Sequence, residues 1–201
     1  MRRWQKGEKS AMRPTFEDLK AIWLLCYSRS AFNEASGWLQ EMETVQDPGH
    51  YEALVYAAAV AYSRPFTKSQ VTPDKRVIPL DGVSPPSHLV IAHENLLNLR
   101  DKVIGHKDAV PTKGYSGTPN MILLDRIGSR FELNTTRLGE MAAEQRKAAE
   151  ELCSYFVRHC EAKLRPLTQK YYPELIRYPE GVYELLISEP PNEWIRRRSG
   201  A

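Results

Sequence analysis

From Phe16 onward the apolar residues recur three and four apart: Leu19, Ile22, Trp23, Cys26, Tyr27, then Trp38, Leu39 and Met42. That rhythm places them on one face of a helix and predicts a first helix over about 15–43. Thr15 stands where a helix cap is needed, and Asp18 follows three residues later, as in a capping box. Asp47, Pro48 and Gly49 read as the end of this helix. A second helix is predicted over about Tyr51–Ser63. It is rich in alanine (Ala53, Ala57, Ala58, Ala59, Ala61), which favours helix and lets a neighbour approach closely. Pro65 stops it.

The stretch 66–86 carries Pro73, Pro79, Gly82, Pro85 and Pro86 and reads as a long irregular connection. A third helix begins near Pro86 and Ser87, carries Leu89, Val90, Leu96, Leu97, Val103 and Ile104, and is expected to stop at Gly105 and His106. Residues 107–119 read as another loop. Two short β-prone runs then flank Gly128 and Ser129, predicting a hairpin at about 120–134. A fourth helix is predicted from Thr135 or Thr136 to about Lys163, ended by Pro166. The remainder is proline-rich, with one short helical candidate at Gly181–Ile187. The expected fold is therefore mainly α: a four-helix bundle with a small β-hairpin and a proline-rich C-terminal tail. The expected layout is a flexible N-terminus at 1–14, a helical domain at 15–165 and a C-terminal extension at 166–201.

Composition changes little in this picture. Hydrophobic residues are 42% of the 201 and charged residues 26%, as in an ordinary globular protein able to bury a core. A net charge of +3 is too small to argue for a nucleic-acid partner, so any such contact must come from local basic clusters. Three cysteines, Cys26, Cys153 and Cys160, do not describe a disulfide framework and fit a reducing cytoplasm. Cys153 and Cys160 share a helix face near His159, but no fourth metal ligand is evident, and small buried thiols are the better reading. The basic start Met1–Gly7 is not followed by a long apolar stretch, so neither a secretion signal nor a membrane span is expected.

The sharpest local feature lies at the end of the third helix: Arg100, Asp101, Lys102, Val103, Ile104, Gly105, His106, Lys107, Asp108. An arginine, a polar residue and a histidine six positions after the arginine resemble the signature of the HEPN superfamily. The run Tyr56–Phe66 is similar to the second-helix ending of abortive-infection-type members. The resemblance covers about residues 15–165. It implies a helical homodimer acting as a metal-independent endoribonuclease, a toxin or phage-defence effector, with Arg100 and His106 catalytic, RNA as substrate, no cofactor, and in some cases a cognate antitoxin protein.

The residue types suit that chemistry. RNA is cut when its 2′-hydroxyl attacks the adjacent phosphorus, which needs a base near neutral pH and a cation for the added negative charge. Histidine titrates near pH ~6.5 and serves as base or acid. Arginine stays charged and offers a planar fork to phosphate oxygens. Asp101 and Asp108 are candidates to orient the pair, and Lys102, Lys107 and Arg64 to attract the RNA backbone. One difficulty is geometric. Six residues on an ideal helix are separated by about 9 Å along the axis and about 120° around it. Either a break at Gly105 or the meeting of two copies at a two-fold axis would bring the groups together, and the resemblance favours the second. Each residue also has a plainer reading. Arg100 pairs with Glu94 or Asp101, His106 caps a helix end, and Arg64 is a surface charge. His88 and His93 read as surface or packing residues. Trp23, Trp38, Tyr56 and Tyr62 read as core or interface, and Arg196–Arg198 as a solvated run. A HEPN bundle without catalysis, serving as a nucleotide-binding or protein-interaction module, is the alternative function.

Overall fold

The computed structural model describes residues 13–72, 75–101, 122–127, 130–135, 141–185 and 195–198. The fold is mainly helical, with the four helices and the hairpin that the periodicity predicts. Helix α1 is Phe16–Glu41, α2 Pro48–Ser63, α3 Val90–Asn98 and α4 Ala143–Leu175. The strands are β1 (Ser69–Thr72), β2 (Lys75–Val77), β3 (Ile122–Ile127), β4 (Arg130–Thr135), β5 (Tyr183–Leu185) and β6 (Ile195–Arg197). They form three antiparallel pairs, each of two neighbours in sequence. Two compact units result: Tyr27–Cys160, and Met1–Cys26 with Glu161–Ala201. Helices α1 and α4 contribute to both.

Helix α1 starts as read, with the Thr15 hydroxyl accepting from the Asp18 backbone N–H at 3.1 Å. The Asp18 carboxylate answers the Thr15 side chain and also reaches α4, where Lys170 and Tyr171 donate to it. Asp47 does not end α1, which stops at Glu41, but caps α2. Its carboxylate accepts from the His50 N–H at 2.7 Å, Pro48 takes the first turn, and α2 therefore starts three residues before Tyr51.

Four expectations are corrected. Helix α4 begins at Ala143 rather than at Thr135 or Thr136, because Thr135 is the last residue of β4 and pairs with Ile122. Nor does α4 end at Pro166. It runs through Pro166 and Pro173 to Leu175. A proline inside a helix loses one hydrogen bond. Here the Thr168 hydroxyl gives the carbonyls of Leu164 and Arg165 an extra donor at 3.2 and 3.0 Å, and buried Leu164 and Tyr171 on either side hold the helix to its unit. The connection 66–86 is not wholly irregular, since β1 and β2 pair there with a register shift between Gln70 and Thr72. The tail segment read as helical holds β5, which pairs Tyr183 with Arg197. Its partner strand lies ten residues away, beyond Pro190 and Pro191, and local periodicity carries no signal of it.

The core of the unit 27–160 is the product of four amphipathic faces. Phe32, Ala35 and Leu39 come from α1, Leu54, Val55, Ala58 and Tyr62 from α2, Leu96 from α3, and Ala149, Leu152 and Phe156 from α4; all are buried. Phe32 stacks on Phe156 with centroids 4.9 Å apart, and Tyr62 and Phe66 close on Phe32 at 5.5 and 5.9 Å. The alanines of α2 let α3 lie directly against it.

In the other unit, buried Leu19 belongs to α1 and buried Leu164 and Tyr171 to α4. Asp18 locks them: its Oδ2 accepts from Lys170 Nζ at 2.8 Å and from the Tyr171 hydroxyl. The hydrogen bond from Lys170, then that from Tyr171, lowers the Asp18 pKa from 3.8 to about 2. A carboxylate whose folded-state pKa is depressed adds stability above its unfolded pKa, and that stability fades as pH falls through the folded value. Asp18 is partly open to solvent, so the contribution is about 1–2 kcal/mol rather than the full linkage value. Wild-type stability should therefore drop between pH 4 and pH 2 by that amount more than the stability of Asp18→Asn. Urea unfolding at pH 7, 4 and 2.5 measures this, and parallel curves for the two proteins would refute it.

Candidate functional site

Helix α3 carries the start of the motif. Leu96 and Leu99 are buried and anchor its last turns. Leu99–Asp101 then leave the α form for a π turn, a local widening that is frequent at functional sites. Both Arg100 and Asp101 are exposed, and the Arg100 guanidinium donates from Nη1 to Asp101 Oδ1. This places the two residues together as the sequence reading allowed, in a pair that orients the guanidinium and also offsets its charge. Such an exposed pair contributes little to stability.

Lys102, His106, Lys107 and Asp108 lie outside the described residues. Arg64 sits at the C-terminal end of α2, and its Nη1 donates to Glu34 of α1 at 2.5 Å. That ion pair occupies the guanidinium and ties α1 to α2.

A second polar feature lies inside the same unit. The Tyr62 hydroxyl and His93 Nδ1 are 2.6 Å apart, joining α2 to α3. Phe66 meets the imidazole edge-on at 4.8 Å. Burial lowers the His93 pKa, so the ring is neutral at physiological pH and exchanges a hydrogen bond, not a charge, with Tyr62. Burial also raises the Tyr62 pKa, with nearby Cys153 adding to the rise. The Cys153 thiol is itself pushed up to about 12 by burial, which keeps it protonated and inert. His93 is therefore a packing residue with a satisfied nitrogen, as its sequence suggested, while the partner 31 positions away was not visible. His88, the other histidine of this region, is exposed and meets Glu151 at 3.1 Å.

Among the described residues no three His, Cys, Asp or Glu side chains gather as a metal cluster. No helix among them is long and apolar enough to cross a membrane. The chain matches no family model, no curated protein and no solved structure. Any functional reading therefore rests on the residues themselves.

Proposed function

We propose that this chain is a metal-independent endoribonuclease of the HEPN type, a toxin or phage-defence effector acting in the cytoplasm as a homodimer. Arg100 and His106 form its reactive pair, RNA is the substrate, and a cognate antitoxin protein is the natural means of restraint. The observation that supports this reading is the placement of Arg100. It is exposed on a π turn at the end of α3, anchored by buried Leu96 and Leu99, and oriented by Asp101. A fixed guanidinium at a helix end can hold a phosphate oxygen while a neighbouring imidazole takes the 2′-hydroxyl proton. Attack of the 2′-oxygen on phosphorus expels the 5′-oxygen, which takes up a proton, and leaves a 2′,3′-cyclic phosphate. The basic residues Lys102 and Lys107 follow Arg100 in the chain and add attraction for the RNA backbone.

The test is cleavage of RNA by the purified full-length protein in EDTA. The expected products carry 2′,3′-cyclic phosphate and 5′-hydroxyl ends. Wild-type protein that binds RNA but cuts none of a broad panel would defeat the reading. The alternative is a non-catalytic HEPN module that binds a nucleotide or a partner protein. It is favoured by the Asp101 carboxylate already paired with Arg100, and tight nucleotide binding without turnover would establish it.

A further inference from the structure

The C-terminal hairpin gives the run Arg196, Arg197, Arg198 a geometry that its sequence does not. Strand β6 pairs with β5, so that Tyr183 stands across from Arg197 and Glu184 across from Arg196. Arg198, just past β6, continues the ladder, its N–H donating to the Val182 carbonyl at 2.9 Å. Side chains alternate across a strand, so Arg196 and Arg198 share one face and Arg197 stands on the other. Two residues of strand separate Arg196 from Arg198 by about 7 Å, close to the spacing of successive phosphates along a nucleic-acid strand.

All three arginines are exposed. Arg177, just past α4, pairs with Glu174 at 3.2 Å, but none of the three forms an ion pair among the described residues. Their charge therefore faces outward unspent. Arg197 is also held in place: its Nη2 donates to the Glu180 carbonyl at 3.4 Å. A Cβ at Gly181 would stand 3.3 Å from Arg197 Nε and 3.6 Å from Tyr183 Cε2, so the bare glycine leaves room for the guanidinium beside that ring. Tyr183 is fixed in turn, its hydroxyl donating to the Pro179 carbonyl at 2.8 Å and its ring meeting Tyr178 at 5.6 Å. Arg197 thus stiffens the hairpin, and the opposite face presents Arg196 and Arg198, with exposed Glu184 and Val182 beside them.

We propose that this face of the hairpin binds the phosphate backbone of a single RNA strand, with Arg196 and Arg198 on successive phosphates. Each guanidinium offers a planar fork to phosphate oxygens. The two-stranded ribbon is narrow and meets one strand rather than both strands of a duplex. Contacts to phosphate carry no base preference, so the surface holds RNA without selecting its sequence. Glu184 opposes the attraction and limits its strength. That the strand is RNA rests on the function proposed from Arg100; the charge and spacing of the hairpin do not.

The experiment is fluorescence anisotropy with a labelled single-stranded RNA of about 12 nucleotides, over salt from about 50 to 200 mM. The 201-residue chain carries Arg100→Ala throughout, so that cleavage does not intrude. Replacing Arg196 and Arg198 together by Gln should flatten the salt slope by about 1.4, because each single-strand phosphate contact contributes about 0.7, and weaken binding by about 25-fold at 0.1 M salt. Arg197→Gln, on the other face, should cost clearly less. Glu184→Gln should strengthen binding by about two- to fivefold, a gain that a merely structural role would not produce and that stands as the test should the double variant fail to fold. The proposal is overturned if the folded double variant keeps the parent slope, if Arg197→Gln costs as much, or if Glu184→Gln gains nothing. Binding to phosphatidylserine vesicles but not to RNA overturns it as well. RNA cleavage by the unsubstituted chain with no effect of the hairpin variants on binding defeats this inference alone; hairpin-dependent binding by a chain that never cuts RNA defeats the proposed function alone.

Discussion

Arg100→Ala is expected to lower the rate of RNA cleavage by about 10²–10³-fold, the loss typical of removing one positioned donor from a developing oxyanion. The fold should survive. The Arg100 side chain is 44% exposed, and among the described residues it pairs with the neighbouring Asp101; an exposed pair of this kind is worth at most about 1 kcal/mol. Arg100→Lys keeps the charge but loses the planar fork, so it should recover part of the rate and no more. His106→Ala removes the proposed proton acceptor and should cost about 10²–10⁴-fold. Initial rates on a defined RNA in EDTA, beside thermal unfolding of each variant, separate chemistry from folding. A fully active, folded Arg100→Ala protein would remove Arg100 from the mechanism and with it the proposed function.

The second large effect is on stability. Phe156→Ala should destabilise the protein by about 3–5 kcal/mol, the range for deleting a buried aromatic ring from a packed core. Phe156 has no exposure, stacks on Phe32 at 4.9 Å, and meets Phe66 and Tyr155 edge-on at 5.2 Å. Removing it takes one ring out of four faces at once, and no single neighbour can collapse into the space. Against a typical total of about 5–15 kcal/mol, the loss is at least about a fifth of the stability. Phe156→Leu, which keeps much of the volume, should cost clearly less. Urea denaturation with both variants measures the difference, and a loss under about 1 kcal/mol for alanine would mean the cluster is not the core described above.

Legibility followed the range of the interaction. On α1 and just past it, the helical spacing picked out Leu19, Leu39 and Met42, which are buried, whereas Ile22, Trp23, Cys26, Tyr27 and Trp38 in the same series are half-buried. The β3–β4 hairpin was plain, because its strands pair residues as close as Ile127 and Arg130, three positions apart in the chain. The boundary of α4 was not. Pro166 is a valid local stop signal, but a long helix with buried Leu164 and Tyr171 overrides the loss of one backbone bond. The β5–β6 pair was missed for the opposite reason: three residues of strand acquire their state from a partner ten residues away.

The candidate site divides in the same way. Arg100 and Asp101 are neighbours in the chain, so their pairing could be anticipated, whereas the π turn at Leu99–Asp101 carries no signal in the local spacing. By itself the sequence determined the helical class, the α1 cap at Thr15, the β3–β4 hairpin and the identity of the motif residues, all of which depend on groups a few positions apart. Only the tertiary structure decided that Asp18 would bind Lys170 and Tyr171, that Arg64 would meet Glu34, and that Tyr62 would reach His93. Those contacts join residues 30 to 153 positions apart. Their partners are selected by the packing of whole helices, which no short stretch of sequence contains.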